Sequence, residues 1–376
     1  MSAGEASGRV MLEQFRLEMG RIEPGCEVVS LAETGEPGPV FGFAEGLRSG
    51  LRSQDLIGRA GEAVEKLKPD VVVLVSFSGL HLPLGRRLRR RGLPVLYLGP
   101  PQVWAWGGWR KRRLRQAADK VVCLFRFEEE PLRRAGVDAS YFGYPLLDSV
   151  KPESSRAETL RRLGLGPGDR YVVFLPGSRP AETAYHVPLF EATHERLREL
   201  VPGIRGVMVV RDADASQRPE ARSQEPDLQG QESVGGRPSA VGVLSVSHGR
   251  YEVMRHAECA CAVSGTVTAE LALLGVPMAV CYHLPALSRT LARLLVHTSY
   301  FALPNVLAGI RVVPEELEPG PGKLAALLAP LICDAEERSN QAAALRRVAA
   351  ELGPAGGMER VCQTAVEMGR GTRGRG

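Results

Sequence analysis

The sequence predicts an α/β protein of two doubly wound, Rossmann-like parallel-sheet domains facing each other across a cleft. Three observations predict it. Short runs of β-branched and apolar residues recur, each followed by a helical segment; this alternation stops at a polar segment and then restarts. The 376 residues also exceed one compact core, so two domains of roughly 150 to 180 residues are expected. Hydrophobic residues make up 44% and aromatics only 6%, as suits buried strands rich in Val, Leu and Ala.

In the first half, DVVVLVSF (Asp70 to Phe77) is a continuous buried-strand signal, and the LGRRLRRRG that follows it predicts a helix ended by Gly92. PVLYLG supplies the next strand and KVVCLF (Lys120 to Phe125) another. The helix EEEPLRRAG and the short strand ASYFG follow. Strand, helix, strand in this order implies parallel pairing through helical crossovers. The segment Leu147 to Arg170 carries Pro, Gly and charge without a strand, so the linker is placed at its start, with domains at 1–147 and 148–344. YVVFLPG, GVMVV, VGVLSV, CACAVSG and MAVCY then form the second parallel sheet. Ligands of such sheets bind at strand carboxyl ends. The polar stretch 212–240 is expected to be a mobile surface loop and the tail 369–376 to be disordered.

The formal charge of +5 is local rather than evenly spread. Arg86, Arg87, Arg89, Arg90 and Arg91 form one cluster; Arg110, Lys111, Arg112, Arg113 and Arg115 form a second, beside Trp104, Trp106 and Trp109. Tryptophan favours the water–lipid interface and arginine binds headgroup phosphates, so this second segment points to a membrane surface. The same residues also fit core tryptophans beside a solvated helix face. Nothing resembles a base-reading module, so nucleic acid is not expected. The seven cysteines are scattered and odd in number, unlike a disulfide or zinc framework. The first residues lack the apolar core of a signal peptide, and no apolar stretch reaches the roughly 18 to 20 residues of a membrane span, so a cytoplasmic location is expected.

Two strand-to-helix junctions carry the candidate chemistry. In VVFLPGSRPAE (Val172 to Glu182) a strand runs directly into Pro-Gly-Ser-Arg. Gly177 lets the backbone approach a ligand, Ser178 can donate, Arg179 can neutralise a diphosphate, and Glu182 lies in the first helical turn. The plainer reading is a turn with an N-cap serine and a solvated arginine. In CACAVSGTVTAELALLG (Cys259 to Gly275), Ser264, Gly265 and Thr266 again open a helix, with orphan N–H groups at its start. Glu270, further along, can hold ribose hydroxyls or be an exposed helix carboxylate. Together the junctions suggest a nucleotide diphosphate site in the second domain. No Gly-x-Gly-x-x-Gly follows a strand and no P-loop occurs, which disfavours NAD binding and ATP hydrolysis. No metal motif stands out, since Asp212-Ala213-Asp214 heads the polar loop; a metal-independent mechanism without a cofactor is expected.

These residues resemble the lipid-A-disaccharide synthase family along nearly the whole chain. The landmarks are GEASG (Gly4 to Gly8), KPDVVVLV (Lys68 to Val75), PPQVWAW (Pro100 to Trp106), FGYPLLD (Phe142 to Asp148), LPGSRPAE (Leu175 to Glu182), SGTVTAEL (Ser264 to Leu271) and YFALPNVLAG (Tyr300 to Gly309). The resemblance implies a GT-B fold and an inverting, metal-independent transfer of 2,3-diacylglucosamine from UDP to lipid X. It also implies UDP held mainly by the second domain, and action at the inner face of the cytoplasmic membrane. Arg179 matches the family's essential arginine and Asn305 its essential asparagine; Ser264, Gly265, Thr266 and Glu270 match its nucleotide-binding turn. The last helices, about 345–368, are implied to pack back on the first domain. A homodimer is left open.

The chain departs from that pattern in its first domain. Ser76 stands where the family has the aspartate proposed as catalytic base, and a serine hydroxyl cannot take a proton at neutral pH as a carboxylate can. Gly79 and His81 replace a further Asp and Asn, Arg9 replaces an Asp, and Ile310 and Arg311 replace an Arg and a Glu. His81 is a candidate replacement base, with a structural histidine as the alternative. The apolar strand expected before GEASG is reduced to Met1-Ser2-Ala3, which favours a misassigned start. Two other readings stay open: a non-catalytic or re-purposed UDP-sugar-binding relative, and an isomerase like the UDP-N-acetylglucosamine 2-epimerases.

Overall fold

The computed structural model describes all residues except 4–5, 32–49, 104–107, 211–236, 239–242, 247–248, 284–299 and 374–376. The chain divides into two compact units. The first comprises Met1–Ser149 with Leu352 onward, and the second runs from Val150 to Glu351.

The first unit is a parallel sheet in the order β1-β2-β3-β4-β5. Its strands are β1 (Ser2–Ala3), β2 (Val72–Val75), β3 (Val95–Leu98), β4 (Lys120–Cys123) and β5 (Ala139–Tyr141). Every residue of β2 and β3 is buried, as a parallel sheet covered on both faces requires. The helices are α1 (Ala6–Ile22), α2 (Gly50–Leu67), α3 (Ser78–Arg90), α4 (Arg110–Ala117) and α5 (Arg126–Arg133). The two residues of β1 take the place of the missing first strand, with Ser2 in register with Leu74 and Ala3 with Val75. On its other side β1 is flanked by residues 29–31: the Met1 amine donates to the Val29 carbonyl and the Leu31 amide to the Met1 carbonyl.

The chain returns to this unit at its end. A C-terminal helix, Gly357–Arg373, packs on α1, and Asp148 accepts a hydrogen bond from the Gly356 amide at 2.7 Å. Residues 369–373 of the expected disordered tail are helical, and 374–376 lie outside the described residues. Gly369 lets this helix lie close to the start of β2, because a Cβ there would come within 3.3 Å of the Asp70 Cβ. The handover to the first unit falls at Leu352, after residues 345–351 have stayed with the second.

The second unit holds a seven-stranded sheet ordered β12-β11-β10-β6-β7-β9-β8. The strands are β6 (Tyr171–Leu175), β7 (Arg205–Val209), β8 (Arg237–Pro238), β9 (Val243–Val246), β10 (Cys259–Val263), β11 (Met278–Tyr282) and β12 (Glu315–Leu317). All pairings are parallel except that of β8 with β9. Its helices are α6 (Arg156–Arg162), α7 (Pro180–Leu200), α8 (Arg250–Arg255), α9 (Thr266–Leu274), α10 (Leu303–Ala308), α11 (Pro321–Cys333) and α12 (Ala335–Ala350). Two apolar cores sandwich the sheet: Val173, Ala260 and Met278 point to one and Phe174, Cys261 and Ala279 to the other. This alternation is the period-2 reading of the strand sequences.

The expected linker contains α6, started by a capping box in which Ser155 accepts from the Glu158 amide and Glu158 bonds the Ser155 amide. Much of the expected mobile loop 212–240 lies outside the described residues. Cys123, Cys259, Cys261, Cys281 and Cys362 are buried free thiols, whereas Cys26 and Cys333 are exposed. No helix among the described residues is long and apolar enough to cross a membrane.

Candidate nucleotide site and acceptor-side loop

Strand order locates the ligand crevice of the second unit. From β6 the chain moves to β7 and β9 on one side, then crosses back and continues through β10, β11 and β12 on the other. The order reverses between β6 and β10, and ligands of open α/β sheets bind outside the carboxyl ends of strands at such a switch point. Leu175 at the end of β6 is in register with Ala262 of β10. The Pro-Gly-Ser-Arg and Ser-Gly-Thr turns therefore open side by side, each feeding a helix amino terminus.

At the first turn Gly177 has φ 100°, which favours glycine. A Cβ there would lie 2.6 Å from Glu182 Oε2, so the carboxylate covers this glycine. Oε2 accepts from the amides of Ser178 (3.2 Å) and Arg179 (3.3 Å), while Oε1 pairs with the Arg179 guanidinium at 3.2 Å. The side chain of Arg179 is half exposed. Glu182 thus holds, inside the chain, the amides and the cation that an external anion would use.

At the second turn the Ser264 hydroxyl donates to the Phe301 carbonyl (2.7 Å) and its amide to the Cys281 carbonyl (3.0 Å), so Ser264 shapes the turn. The helix α9 then opens at Thr266, and the space beside Gly265 is open: a Cβ there would meet no atom within 4 Å. Glu270 corrects one alternative, for it is no exposed helix carboxylate but 2% exposed. Arg250 of α8 donates to its Oε1 at 2.9 Å, and Oε2 is buried without a partner among the described residues. Burial raises the Glu270 carboxyl above the ordinary range, with Arg250 opposing. Nothing local in the sequence marks Arg250, whose pairing with Glu270 spans 20 residues.

Asn305 is fully buried, and its amide is spent on the backbone. Oδ1 accepts from the amides of Val312 (2.7 Å) and Val313 (2.8 Å), and Nδ2 donates to the Val313 carbonyl (2.9 Å). This side chain pins the segment after α10 to the helix.

In the first unit, Ser76 and Phe77 follow β2 with φ 51° and 45°, a left-handed pair rare for residues with side chains. The Ser76 carbonyl accepts from the Tyr97 hydroxyl (2.6 Å) and from His81 Nδ1 (2.9 Å). Because that carbonyl only accepts, Nδ1 carries the proton and Nε2 accepts from the Ser2 hydroxyl at 2.9 Å. Burial lowers the His81 pKa to about 4, so the ring is neutral at physiological pH. The sheet order β1-β2-β3-β4-β5 sets β1 directly beside β2. Ser76 and His81 lie just beyond the carboxyl end of β2, the end of a parallel sheet at which ligands bind.

The Arg110-to-Arg115 segment is not one uniform face. Arg110 is 6% exposed and burial lowers its pKa, whereas Trp109 is 59% exposed with the Arg113 guanidinium 4.4 Å above its ring. Trp104 and Trp106 lie outside the described residues.

Two parallel-sheet units, with paired helix amino termini at the switch point of the second, define a GT-B-type α/β protein. The solved structures that the chain resembles share this fold. They include UDP-GlcNAc 2-epimerase from Neisseria meningitidis bound to UDP-GlcNAc (TM-score 0.58, 13% identity, 96% of this chain and 89% of that one). Another is a putative UDP-N-acetylglucosamine 2-epimerase from Listeria monocytogenes (TM-score 0.57, 12% identity, 96% and 94%). A family model described as lipid-A-disaccharide synthetase matches residues 1–355. The chain is 32% identical to lipid-A-disaccharide synthase of Syntrophus aciditrophicus (97% of this chain, 96% of that one). It is 30% identical to that of Geobacter metallireducens (97% and 96%). The chain belongs to the lipid-A-disaccharide synthase family, which makes it a glycosyltransferase of lipid A biosynthesis.

Proposed function

We propose that this chain transfers 2,3-diacylglucosamine from UDP to lipid X, with inversion and without a metal, at a membrane surface approached through Trp109 and its arginine neighbours. The observation that carries the donor half is the adjacency of two helix amino termini, with Arg179 beside them, at the switch point between β6 and β10. UDP, the nucleotide portion of the UDP-GlcNAc bound by the Neisseria epimerase, fits this arrangement. Its diphosphate takes the place of the Glu182 carboxylate on the Ser178 and Arg179 amides, and the amides opening α9 face it from the other side. Arg179 then neutralises charge developing on the departing phosphate. The unpaired Oε2 of Glu270 accepts from a ribose hydroxyl. Asn305 and Ser264 act by fixing the backbone around the donor.

On the acceptor side no carboxylate stands at position 76. The proton of the attacking hydroxyl passes to Ser2 Oγ as the Ser2 proton moves to His81 Nε2. A base with a pKa near 4 is a weak one, so turnover is expected to be slow. That same weakness favours a second reading, a relative that keeps the donor site and has lost or changed its acceptor chemistry.

The test is a mass-spectrometric assay with UDP-2,3-diacylglucosamine and lipid X, run on the unaltered chain, Ser76→Asp and Arg179→Ala. Disaccharide from the unaltered chain, lost by roughly 100-fold in Arg179→Ala, supports the transferase. Product from Ser76→Asp alone supports the second reading. If UDP binds no more weakly to Arg179→Ala than to the unaltered chain, the donor site is misplaced.

A further inference from the structure

Helix geometry sorts the arginine run of α3 onto two faces. Arg87 and Arg91, four residues apart, both reach Glu65 of α2, at 3.7 and 3.2 Å. Arg86 and Arg90, also four apart, turn elsewhere. With Arg89 and with Arg115 of α4 they line a cavity of about 710 Å³, completed by Asp119 and Met368. It opens at the amino-terminal end of β3, where Asp119 accepts from the Val95 amide, whereas Ser76 and His81 lie at the carboxyl end of the same sheet.

The charges in this cavity do not balance. Asp119 is the only carboxylate among its lining residues, and Arg89 already holds it through Nε (2.8 Å) and a terminal nitrogen (2.7 Å). Arg89 also donates to the Arg115 carbonyl at 2.8 Å, completing the last turn of α4. One arginine thus neutralises the aspartate and the helix end together. Arg86, Arg90 and Arg115 have no carboxylate partner among the described residues, although all three are exposed enough to receive one. Three arginines without a carboxylate partner leave this concavity with an excess of positive charge, which an anion bound among them would offset. Planar guanidiniums bind phosphate oxygens in pairs, and the volume lies in the range of small-molecule sites.

We propose that this cavity binds a ligand carrying two or more phosphate groups, at a site separate from the one at β6 and β10. The phosphates can belong to a soluble ester or to lipid headgroups, and two probes distinguish these sources. Tripolyphosphate binding is measured by calorimetry on the full chain with UDP present in excess. Cosedimentation is measured with phosphatidylglycerol vesicles against phosphatidylcholine ones. Arg86→Gln/Arg90→Gln is compared with Arg161→Gln/Arg198→Gln, which removes two exposed arginines of the second unit; equal melting temperatures establish that both pairs fold.

The Arg86/Arg90 pair is expected to weaken tripolyphosphate binding by about tenfold or more, and the control pair to change it less than about twofold. Vesicle binding unchanged in the Arg86/Arg90 pair assigns the cavity to a soluble ligand. Vesicle binding lost together with tripolyphosphate assigns it to headgroup phosphates. The proposal is overturned if the unaltered chain binds neither probe, or if both arginine pairs weaken binding equally. Neither result bears on the donor site, because excess UDP is present throughout and the compared arginines lie outside that site.

Discussion

Glu182 holds Arg179 twice: one carboxylate oxygen accepts from its backbone amide at 3.3 Å and the other from its guanidinium at 3.2 Å. The arginine proposed to meet a diphosphate is thus already paired with an anion of the chain's own. Phosphate binding is then an exchange, in which a ligand must displace a tethered carboxylate.

That exchange makes Glu182→Gln informative. Glutamine keeps an oxygen for the Ser178 and Arg179 amides but carries no charge against an incoming phosphate. UDP is expected to bind several-fold more tightly, while the helix loses about 0.5–1 kcal/mol at its amino terminus. Calorimetry with UDP checks the first effect and thermal melting the second. Weaker UDP binding in this variant would mean that Glu182 orients Arg179 instead of competing for it.

Asn305 gives a second test, because its matched position in the family and its place in the structure suggest different effects. Its amide makes three backbone hydrogen bonds in a fully buried position. Asn305→Ala strands two amides and a carbonyl, and is expected to cost about 3 kcal/mol or more. Asn305→Asp keeps the acceptors but sets a carboxylate against the Val313 carbonyl, and is also expected to destabilise. Urea unfolding measures both. Full stability with lost activity would instead put the side chain against substrate.

The sequence carried the strands other than β1, β8 and β12, both strand-to-helix turns and the two-unit division, because these depend on local apolar runs and small residues at fixed offsets. Ser155 and Glu158 also carried a legible capping signal for α6, hidden among the prolines and glycines of the expected linker. What could not be read were pairings over long separations. Ser2 meets His81 across 79 residues and Arg250 meets Glu270 across 20. No residue pattern announces either, since strand order alone brings them together. The site was therefore legible as a set of turns, but the burial of Glu270 and the occupation of Asn305 were not.

Arg250 governs the charge on Glu270. Replacing it in Arg250→Met keeps most of the apolar stem and leaves a nearly buried carboxylate unpaired. A loss of about 2 kcal/mol is expected at pH 7.5, below the usual cost of breaking a buried pair because Arg250 is itself partly exposed. Burial already raises the Glu270 pKa above its unfolded value, and losing Arg250 raises it further. The folded variant therefore takes up a proton at a pH where the unfolded chain does not, so the deficit should shrink as pH falls from 7.5 to 5. Urea titrations at both pH values check this. A deficit independent of pH would mean that Arg250 acts by packing alone.

His81 shifts in the opposite sense. Its folded pKa of about 4 lies below the unfolded value of 6.5, so between these the unfolded chain binds the extra proton. The stability that neutral His81 contributes is fully present above pH 6.5 and is lost as pH falls toward 4. The whole span is on the order of 3 kcal/mol. Carboxylates also titrate in part of this window, so the measurement is the difference between the unaltered chain and His81→Asn, each unfolded by urea from pH 7.5 down to 4.5. Asparagine has no proton to gain, and the first unit of the variant should lose less stability over that range. Parallel curves would mean that His81 has the same pKa in the folded and unfolded chain, as a hydrated ring would. The ring would then be open to water instead of closed against the Ser2 hydroxyl, and the proposed relay through Ser2 would lose its structural basis.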